Sequence, residues 1–278
     1  MVKKFENLDD NTVLWRYMSL DKLVDLLANN HLYFTPLASY EKSDPFEGYA
    51  PKVVIDGLMN VVKQRHQIMQ STYETLKQLK GGDIGHLESI DSILDSFIPQ
   101  SVSDFKSIAQ ATSVNCWHAN NFESEAMWKL YSDQGKGIAI KTTVGRVVDS
   151  INACEQKHQI SFGKVKYLDF LDPELTFEDC FGEDNILMPL LKRASFAHEQ
   201  EVRLFISPVS DGEKIEDPVA KSIKFDGNKL IDKIVISPFS CEPFISSVYS
   251  ICSKYEIEST QIEQSLLLDS PDCLFKLT

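Results

Sequence analysis

The sequence has few positive charges for its length, and this shortage limits what the chain can bind. Its 278 residues include 28 lysines and arginines against 41 aspartates and glutamates, which gives a formal net charge of −13. A chain this acidic has no strong non-specific electrostatic attraction to nucleic-acid phosphates or to anionic lipid. A local basic pocket for a small phosphorylated ligand is still compatible with this composition.

The sequence also lacks long apolar runs and the common metal-binding motifs. No apolar leader segment is found in the first ten residues, and no stretch approaches the roughly 18 apolar residues of a membrane span. None of the six cysteines forms a C-x-x-C pair, and H-E-x-x-H is absent. We therefore expect a cytoplasmic protein with reduced thiols, no membrane contact and no bound metal.

The hydrophobic pattern predicts a mixed α and β protein with a single domain over residues 1–278. Helical periodicity over residues 52–108 predicts a helical insertion, which could also serve a partner or a homo-oligomer. Helices are also predicted at residues 20–27, 124–131, 144–153, 186–194 and 243–255. Alternating or β-branched segments predict strands at 12–18, 31–35, 111–118, 138–143, 162–168, 199–206, 222–225, 233–238 and 262–268.

The segment around residues 199–206 carries two carboxylates and an arginine where a strand is predicted. Alternation directs Glu199, Glu201 and Arg203 to one face of the strand. The other face receives Gln200, Val202, Leu204 and Ile206. Two interpretations stay open. The segment is either an exposed edge strand with a solvated charged face, or a paired-carboxylate site in a cleft.

Two further features could bind an anion or a sugar. Arg16 lies among apolar strand residues, so it needs either a structural carboxylate or an anionic ligand. Asp44-Pro45 and Gly48 indicate a loop, and this loop contains Asp44 and Glu47. The two carboxylates either cap backbone amides or bind a ribose hydroxyl.

The third predicted strand contains Cys116, Trp117 and His118, and the helix after it contains Trp128 and Tyr131. A nucleophilic cysteine needs a neighbouring base and a lowered pKa, and the sequence shows neither, so Cys116 is interpreted as a buried strand residue. The aromatic side chains are expected in the core, although Trp117 or Tyr131 could stack on a base.

These motifs resemble a large bacterial family of uncharacterised proteins over nearly the whole chain. The resemblance rests on Trp15-Arg16-Tyr17, Asp44-Pro45-Phe46-Glu47, Cys116-Trp117-His118 with Met127-Trp128, and Glu199-Gln200-Glu201-Val202-Arg203. It implies no activity.

A more distant resemblance is to ADP-ribosyltransferases of the arginine/serine/glutamate class. It rests on the order of an early strand with an arginine, a middle strand followed by a short helix, and a late strand with Glu-x-Glu. It implies an α+β fold with a mostly antiparallel sheet, NAD as substrate and a macromolecular acceptor, as in toxins or defence effectors. Glu201 would be the catalytic glutamate and Glu199 the acceptor-positioning one. The residues implied for NAD binding are Arg16, Tyr17, Asp44, Cys116, Trp117, His118 and Tyr131.

Two other functions fit the same residues. Asp44, Glu47, Glu199 and Glu201 could hold a divalent metal in a hydrolase or nuclease. Alternatively, the chain is a non-catalytic module that binds a nucleotide or a protein partner.

Overall fold

The strands and helices follow the predicted order closely in a computed structural model that describes residues 1–5, 8–79, 87–132, 135–181, 188–208 and 218–270. The strands are β1 (Val2–Lys4), β2 (Val13–Met18), β3 (His31–Pro36), β4 (Ser113–Ala119), β5 (Ile138–Thr143), β6 (Ile160–Lys164), β7 (Lys166–Leu168), β8 (Leu191–Arg193), β9 (Glu201–Ile206), β10 (Lys221–Lys224), β11 (Lys233–Ile236) and β12 (Ile262–Gln264). The α-helices are α1 (Leu20–Asn29), α2 (Lys52–Leu79), α3 (Leu87–Ala111), α4 (Glu125–Tyr131), α5 (Val144–Asn152), α6 (Phe177–Phe181), α7 (Gly227–Leu230) and α8 (Phe244–Lys254).

Ten of these strands form one mixed sheet. Eight of them lie in the order β1-β6-β9-β4-β2-β5-β11-β12, and β3 joins the sheet by pairing with β4 and with β10. The β1–β6 and β11–β12 pairs are parallel, whereas the other pairs in this sheet are antiparallel. A separate parallel pair joins β7 to β8. The predicted α+β class with a mostly antiparallel sheet is confirmed.

One face of the large sheet carries the main hydrophobic core. Strand residues such as Leu14 and Leu204 pack there with Leu23 of α1, Val147 of α5 and Val248 of α8. Fully burying a side chain of this size contributes about 1.5–3 kcal/mol, so these helices are held mainly by the apolar stripe that they present to the sheet.

The opposite face is apolar at two ends and polar between them. Phe205 packs with Val54 of α2 in one cluster, and Trp15 packs with Trp128 of α4 in another. The β4 and β9 registers place polar side chains from the two strands opposite one another between these clusters. These side chains are Cys116, His118, Glu201 and Arg203.

The predicted helical insertion consists of α2 and α3, and α3 continues to Ala111, beyond the predicted end at residue 108. Helix α2 packs against the sheet at its N-terminal end through Val54, whereas Val61, Ile68 and Leu76 further along are exposed. None of the helices in the described ranges combines the length and the apolarity that a bilayer crossing requires. The single domain, the homo-oligomer and the cytoplasmic location stay predictions.

Three local predictions differ from the structure. The helix predicted at residues 186–194 was wrong in its described part, where a short 3₁₀ helix is followed by β8. Pairing of β8 with β7 overrides the helical periodicity there, because tertiary hydrogen bonding outweighs local propensity. The strand predicted at 162–168 is two strands, and the strand predicted at 262–268 ends at Gln264. The composition of Asp211-Gly212-Glu213-Lys214 also predicts a turn, and these residues lie outside the described part of the chain.

The large sheet opens at one position, between β2 and β3. Strand β2 pairs with β4 only at Leu14 and Trp15, and β3 pairs with β4 only at Thr35 and Pro36. Among the described strands, none pairs with residues 115–117 of β4 on this side. The opening gives a cavity access to side chains from both faces of the sheet.

Candidate functional site

A cavity of about 720 Å³ lies at this opening. Its walls come from α1 and α4, from β2, β3, β4 and β9, from residues 40–47 and from residues 192–199. Nine predicted site residues line it, namely Arg16, Tyr17, Asp44, Cys116, Trp117, His118, Tyr131, Glu199 and Glu201. The structure therefore brings every predicted site residue to one place, including Arg16 and Glu201 from different strands. Their roles stay predictions.

Glu201 is held in a buried network of charges. Its Oε2 accepts from Arg203 Nη2 at 2.7 Å and from Lys192 Nζ at 3.2 Å. Burial by itself raises the pKa of Glu201, but Arg203 and Lys192 outweigh burial and lower the pKa to about 2. Glu201 is therefore ionised at neutral pH and fixed in one orientation.

The exposed edge-strand interpretation of this segment was wrong. Strand β9 lies between β4 and β6, and all six of its residues are buried. The predicted alternation is confirmed, since Val202, Leu204 and Ile206 enter the main core while Glu201 and Arg203 share the other face. Carboxylates inside a sheet require cationic partners, which here come from the same strand and from β8.

Glu199 reaches the same network from a different backbone conformation. It ends a 3₁₀ helix (Ala194–Glu199), and Gln200 follows in the left-handed region with φ of 41°. The prediction that Glu199 lies in the strand was therefore wrong. Its Oε2 accepts from Lys192, and its Oε1 accepts from the hydroxyl of Tyr131 at 3.5 Å. The left-handed turn places Glu199 beside Lys192, at the less buried end of the network.

Sequence reasoning missed Lys192 and Arg193, which lie side by side on β8. Lys192 Nζ lies 3.4 Å from Glu47 Oε2, and Arg193 Nη2 lies 2.6 Å from Asp44 Oδ1. Two adjacent cations after a buried Leu-Leu pair were the available signal, but a predicted helix concealed it. Asp44 Oδ1 also accepts from the amide of Phe46 at 3.0 Å, which confirms the capping interpretation for Asp44.

Arg203 connects the loop at residues 43–47 to β9. Its Nη1 lies 2.8 Å from Glu47 Oε1, and it donates to the carbonyl of Pro189 at 2.7 Å. Arg203 is 1% exposed, so protein groups and not water balance its charge. The loop, β8 and β9 are thereby joined by ion pairs on one side of the cavity.

The charge of Arg16, unlike that of Arg203, is not balanced by a carboxylate among the described residues. Its guanidinium lies over the ring of Trp117, 5.6 Å from the ring centroid, and its Nη1 is buried without a hydrogen-bond partner. Within the described ranges of the chain, no carboxylate forms an ion pair with Arg16. Burial lowers the pKa of this guanidinium, although its ordinary value is so high that Arg16 remains charged. Of the two sequence interpretations, an anionic ligand therefore fits better than a structural salt bridge.

His118 and Cys116 present neutral groups to the cavity. His118 Nδ1 lies 2.6 Å from the carbonyl oxygen of Glu199, which can only accept, so Nδ1 carries the proton. Its Nε2 is buried and has no hydrogen-bond partner among the described residues, and burial lowers the pKa of the ring. Burial and then the charge of Glu201 raise the pKa of Cys116, so its thiol stays protonated and is not an activated nucleophile.

The carboxylates do not form a metal site. In the parts of the chain that the structure describes, no group of three or more His, Cys, Asp and Glu side chains is arranged to hold a metal ion. The four carboxylates of the rival prediction instead contact Lys192, Arg193 and Arg203, which already balance most of their charge. A divalent cation would have to displace these ion pairs.

Comparison with known proteins matches one segment of the chain to a protein family and identifies no activity. The family described as "Protein of unknown function (DUF2971)" matches residues 127–204, from α4 to β9. The matched segment contains Tyr131, Lys192, Glu199, Glu201 and Arg203. No curated protein and no solved structure matches the chain. Over this segment, the chain is similar to an uncharacterised protein family.

Proposed function

We propose that the cavity binds NAD and cleaves the bond between nicotinamide and ribose, as an ADP-ribosyltransferase of the arginine/serine/glutamate class does. One observation carries the proposal: Arg16, which forms no ion pair with a described carboxylate, lines the same cavity as the ionised Glu201 and its neighbour Glu199. The strands that carry Arg16, the Cys116-Trp117-His118 segment and Glu201 are consecutive in the sheet, in the order β2-β4-β9.

The charges and the volume fit a dinucleotide. A guanidinium without a protein anion binds phosphate through charge-assisted hydrogen bonds, and its planar fork allows a bidentate contact that lysine cannot make. A volume of about 720 Å³ is within the range of small-molecule pockets, roughly 300–1,000 Å³. The ring of Tyr131, which is 45% exposed and lies next to Glu199, offers a surface for stacking, whereas Trp117 is 1% exposed and Arg16 already lies over its ring.

Glu201 has the properties that the chemical step needs. Loss of nicotinamide leaves positive charge on the ribose, and a fixed carboxylate in a water-poor cavity stabilises that charge. Arg203 and Lys192 keep Glu201 ionised and oriented before the substrate arrives. Glu199 is more exposed and would position the acceptor.

One observation favours a second candidate, a non-catalytic nucleotide-binding module. The carboxylate of Glu201 is already bound by two cations, which is also the arrangement of a purely structural ion pair. In that case Arg16 would still bind the phosphates, but the ribose would not be cleaved.

Nicotinamide release from NAD tests the proposal, with purified protein, EDTA present, and water or cell lysate as acceptor. Release should survive EDTA and should fall at least about a hundredfold in Glu201→Gln, the scale of losing a charge-stabilising group. The matched control is Glu263→Gln, which changes an exposed carboxylate on β12. Release that EDTA abolishes would instead favour the metal-dependent hydrolase.

NAD binding, measured together with nicotinamide release, separates the transferase from the non-catalytic binding module. Quenching of tryptophan fluorescence should report binding, and Arg16→Lys should raise the Kd at least about tenfold through loss of a charged hydrogen bond. Arg65→Lys, at an exposed position on α2, is the control. Binding that depends on Arg16 but releases no nicotinamide would overturn the transferase and leave the binding module. No binding would overturn both.

A further inference from the structure

The side chain of Lys192 contacts three of the six carboxylates that line the cavity. Its Nζ lies 3.4 Å from Glu47 Oε2 and 3.2 Å from Glu201 Oε2, and it donates to Glu199 Oε2. We propose that Lys192 is a positioning residue that holds the side chains of Glu199 and Glu201 together through its ammonium group. This inference rests on the proposed function, because the pair matters for the transfer step.

No other described cation contacts both glutamates. Arg203 pairs with Glu47 and Glu201, whereas Arg193 pairs with Asp44. The remaining side-chain contact of Glu199 within the described residues is the hydroxyl of Tyr131 at 3.5 Å, which is at the limit of a hydrogen bond. Without Lys192, Glu199 would lie near Glu201 with no cation between them, and like charges would drive the two carboxylates apart.

Burial makes the contact of Lys192 strong enough to set geometry. Its side chain is 8% exposed, so the ion pairs are little screened by water. Burial opposes the charge of Lys192, but Glu201, Glu47 and Glu199 outweigh burial and raise its pKa, so it stays protonated. A protonated ammonium is not a nucleophile or a base, and the contacts of Lys192 with Glu199 and Glu201 are those of a positioning group.

Several other groups also face Glu201 and set how it titrates. They are Arg203 on its own strand, Cys116 and His118 on β4, Tyr167 on β7, Tyr131 on α4, Tyr40 after β3, Glu47 in the loop and Glu199. Lys192 is the second cation in this set after Arg203. Removing it should therefore raise the protonation midpoint of Glu201 by about one pH unit or more, the effect of losing one close opposite charge.

Nicotinamide release by Lys192→Met and Lys192→Arg tests the positioning role. We expect kcat to fall at least about tenfold in Lys192→Met with little change in the KM for NAD, because substrate binding by Arg16 is untouched. Lys192→Arg keeps the charge and should recover part of the loss. Lys129→Met, which removes an exposed lysine on α4, is the matched control. Equal losses in the arginine and methionine variants would overturn the proposal.

A second measurement does not depend on activity. Carbon-13 NMR of labelled glutamate side chains follows the titration of Glu201 in the wild type, in Lys192→Met and in Lys192→Arg, with Glu201→Gln to assign the signal. Lys192→Met should move the midpoint upward and Lys192→Arg should move it less; an unmoved midpoint in Lys192→Met overturns the positioning role. If the wild type releases no nicotinamide, the proposed function fails. The titration still decides whether Lys192 sets the charge state of Glu201.

Discussion

Arg203 and Glu201 form an ion pair of 2.7 Å between two buried side chains on the same face of β9. The two residues are separated by one position, so the alternation of the strand brings their side chains together without a long-range contact. Both charges lie inside the sheet, and each depends on the other for its balance.

Removing Arg203 should destabilise the fold strongly. Arg203→Met leaves Glu201 and Glu47 buried with less compensation, so we expect the free energy of unfolding to fall by about 3–5 kcal/mol. Denaturant unfolding followed by circular dichroism measures this. Lys129→Met breaks an exposed pair with Glu125 and should cost about 0–1 kcal/mol. Similar losses in both variants would show that the buried pair has no special weight.

The stability of the protein should fall in acid because of Glu201. Its folded pKa of about 2 lies below the ordinary value of 4.5, so its ionised form stabilises the folded state. This stabilisation is fully present above about pH 5 and is lost as the pH falls toward 2. Unfolding free energies between pH 7 and pH 2 should therefore converge for the wild type and Glu201→Gln. A difference that stays constant over this range would contradict the lowered pKa.

The backbone at Gln200 should prefer glycine. Its φ of 41° and ψ of 50° are in the left-handed region, which costs an L-residue roughly 1–2 kcal/mol. We expect Gln200→Gly to leave stability unchanged or raise it by up to about 1 kcal/mol, after the entropy cost of glycine. Gln200→Val should lower stability and, by displacing Glu199, nicotinamide release as well, because a branched side chain is poorly tolerated there. Thermal unfolding and the release assay measure the two effects, and a stable, fully active Gln200→Val would contradict the assignment.

Two glycines should respond to alanine in opposite directions. Gly48 has φ of 82°, and a Cβ there would lie 2.8 Å from Leu37 Cδ1 and 3.2 Å from the carbonyl of Ala109, so Gly48→Ala should cost about 1–3 kcal/mol. Gly57 is inside α2 with nothing within 4 Å of an added Cβ, so Gly57→Ala should gain about 0.5–1 kcal/mol. Thermal unfolding of both variants checks the pair. A stabilising Gly48→Ala would show that the turn after Glu47 is not constrained.

The sequence by itself determined the order of most strands and helices and the faces of β9. Alternation from residue 201 to 206 separates Val202, Leu204 and Ile206 from Glu201 and Arg203, and the structure confirms this. Element type and the faces of a strand are local properties, because the periodicity of successive side chains predicts them. The residue types also predicted a site at Arg16 and the Glu-x-Glu segment, whose side chains line one cavity in the structure.

Only the tertiary structure decided which charges balance each other. That Lys192 contacts Glu47, Glu199 and Glu201 while Arg16 contacts no described carboxylate depends on pairing between distant strands. The pairing of β8 with β7 and the opening of the sheet between β2 and β3 likewise come from long-range hydrogen bonds, which local propensity does not encode. Sequence motifs therefore identify the candidate site residues, but the ionisation and orientation of their side chains are set by neighbours that lie far away in sequence.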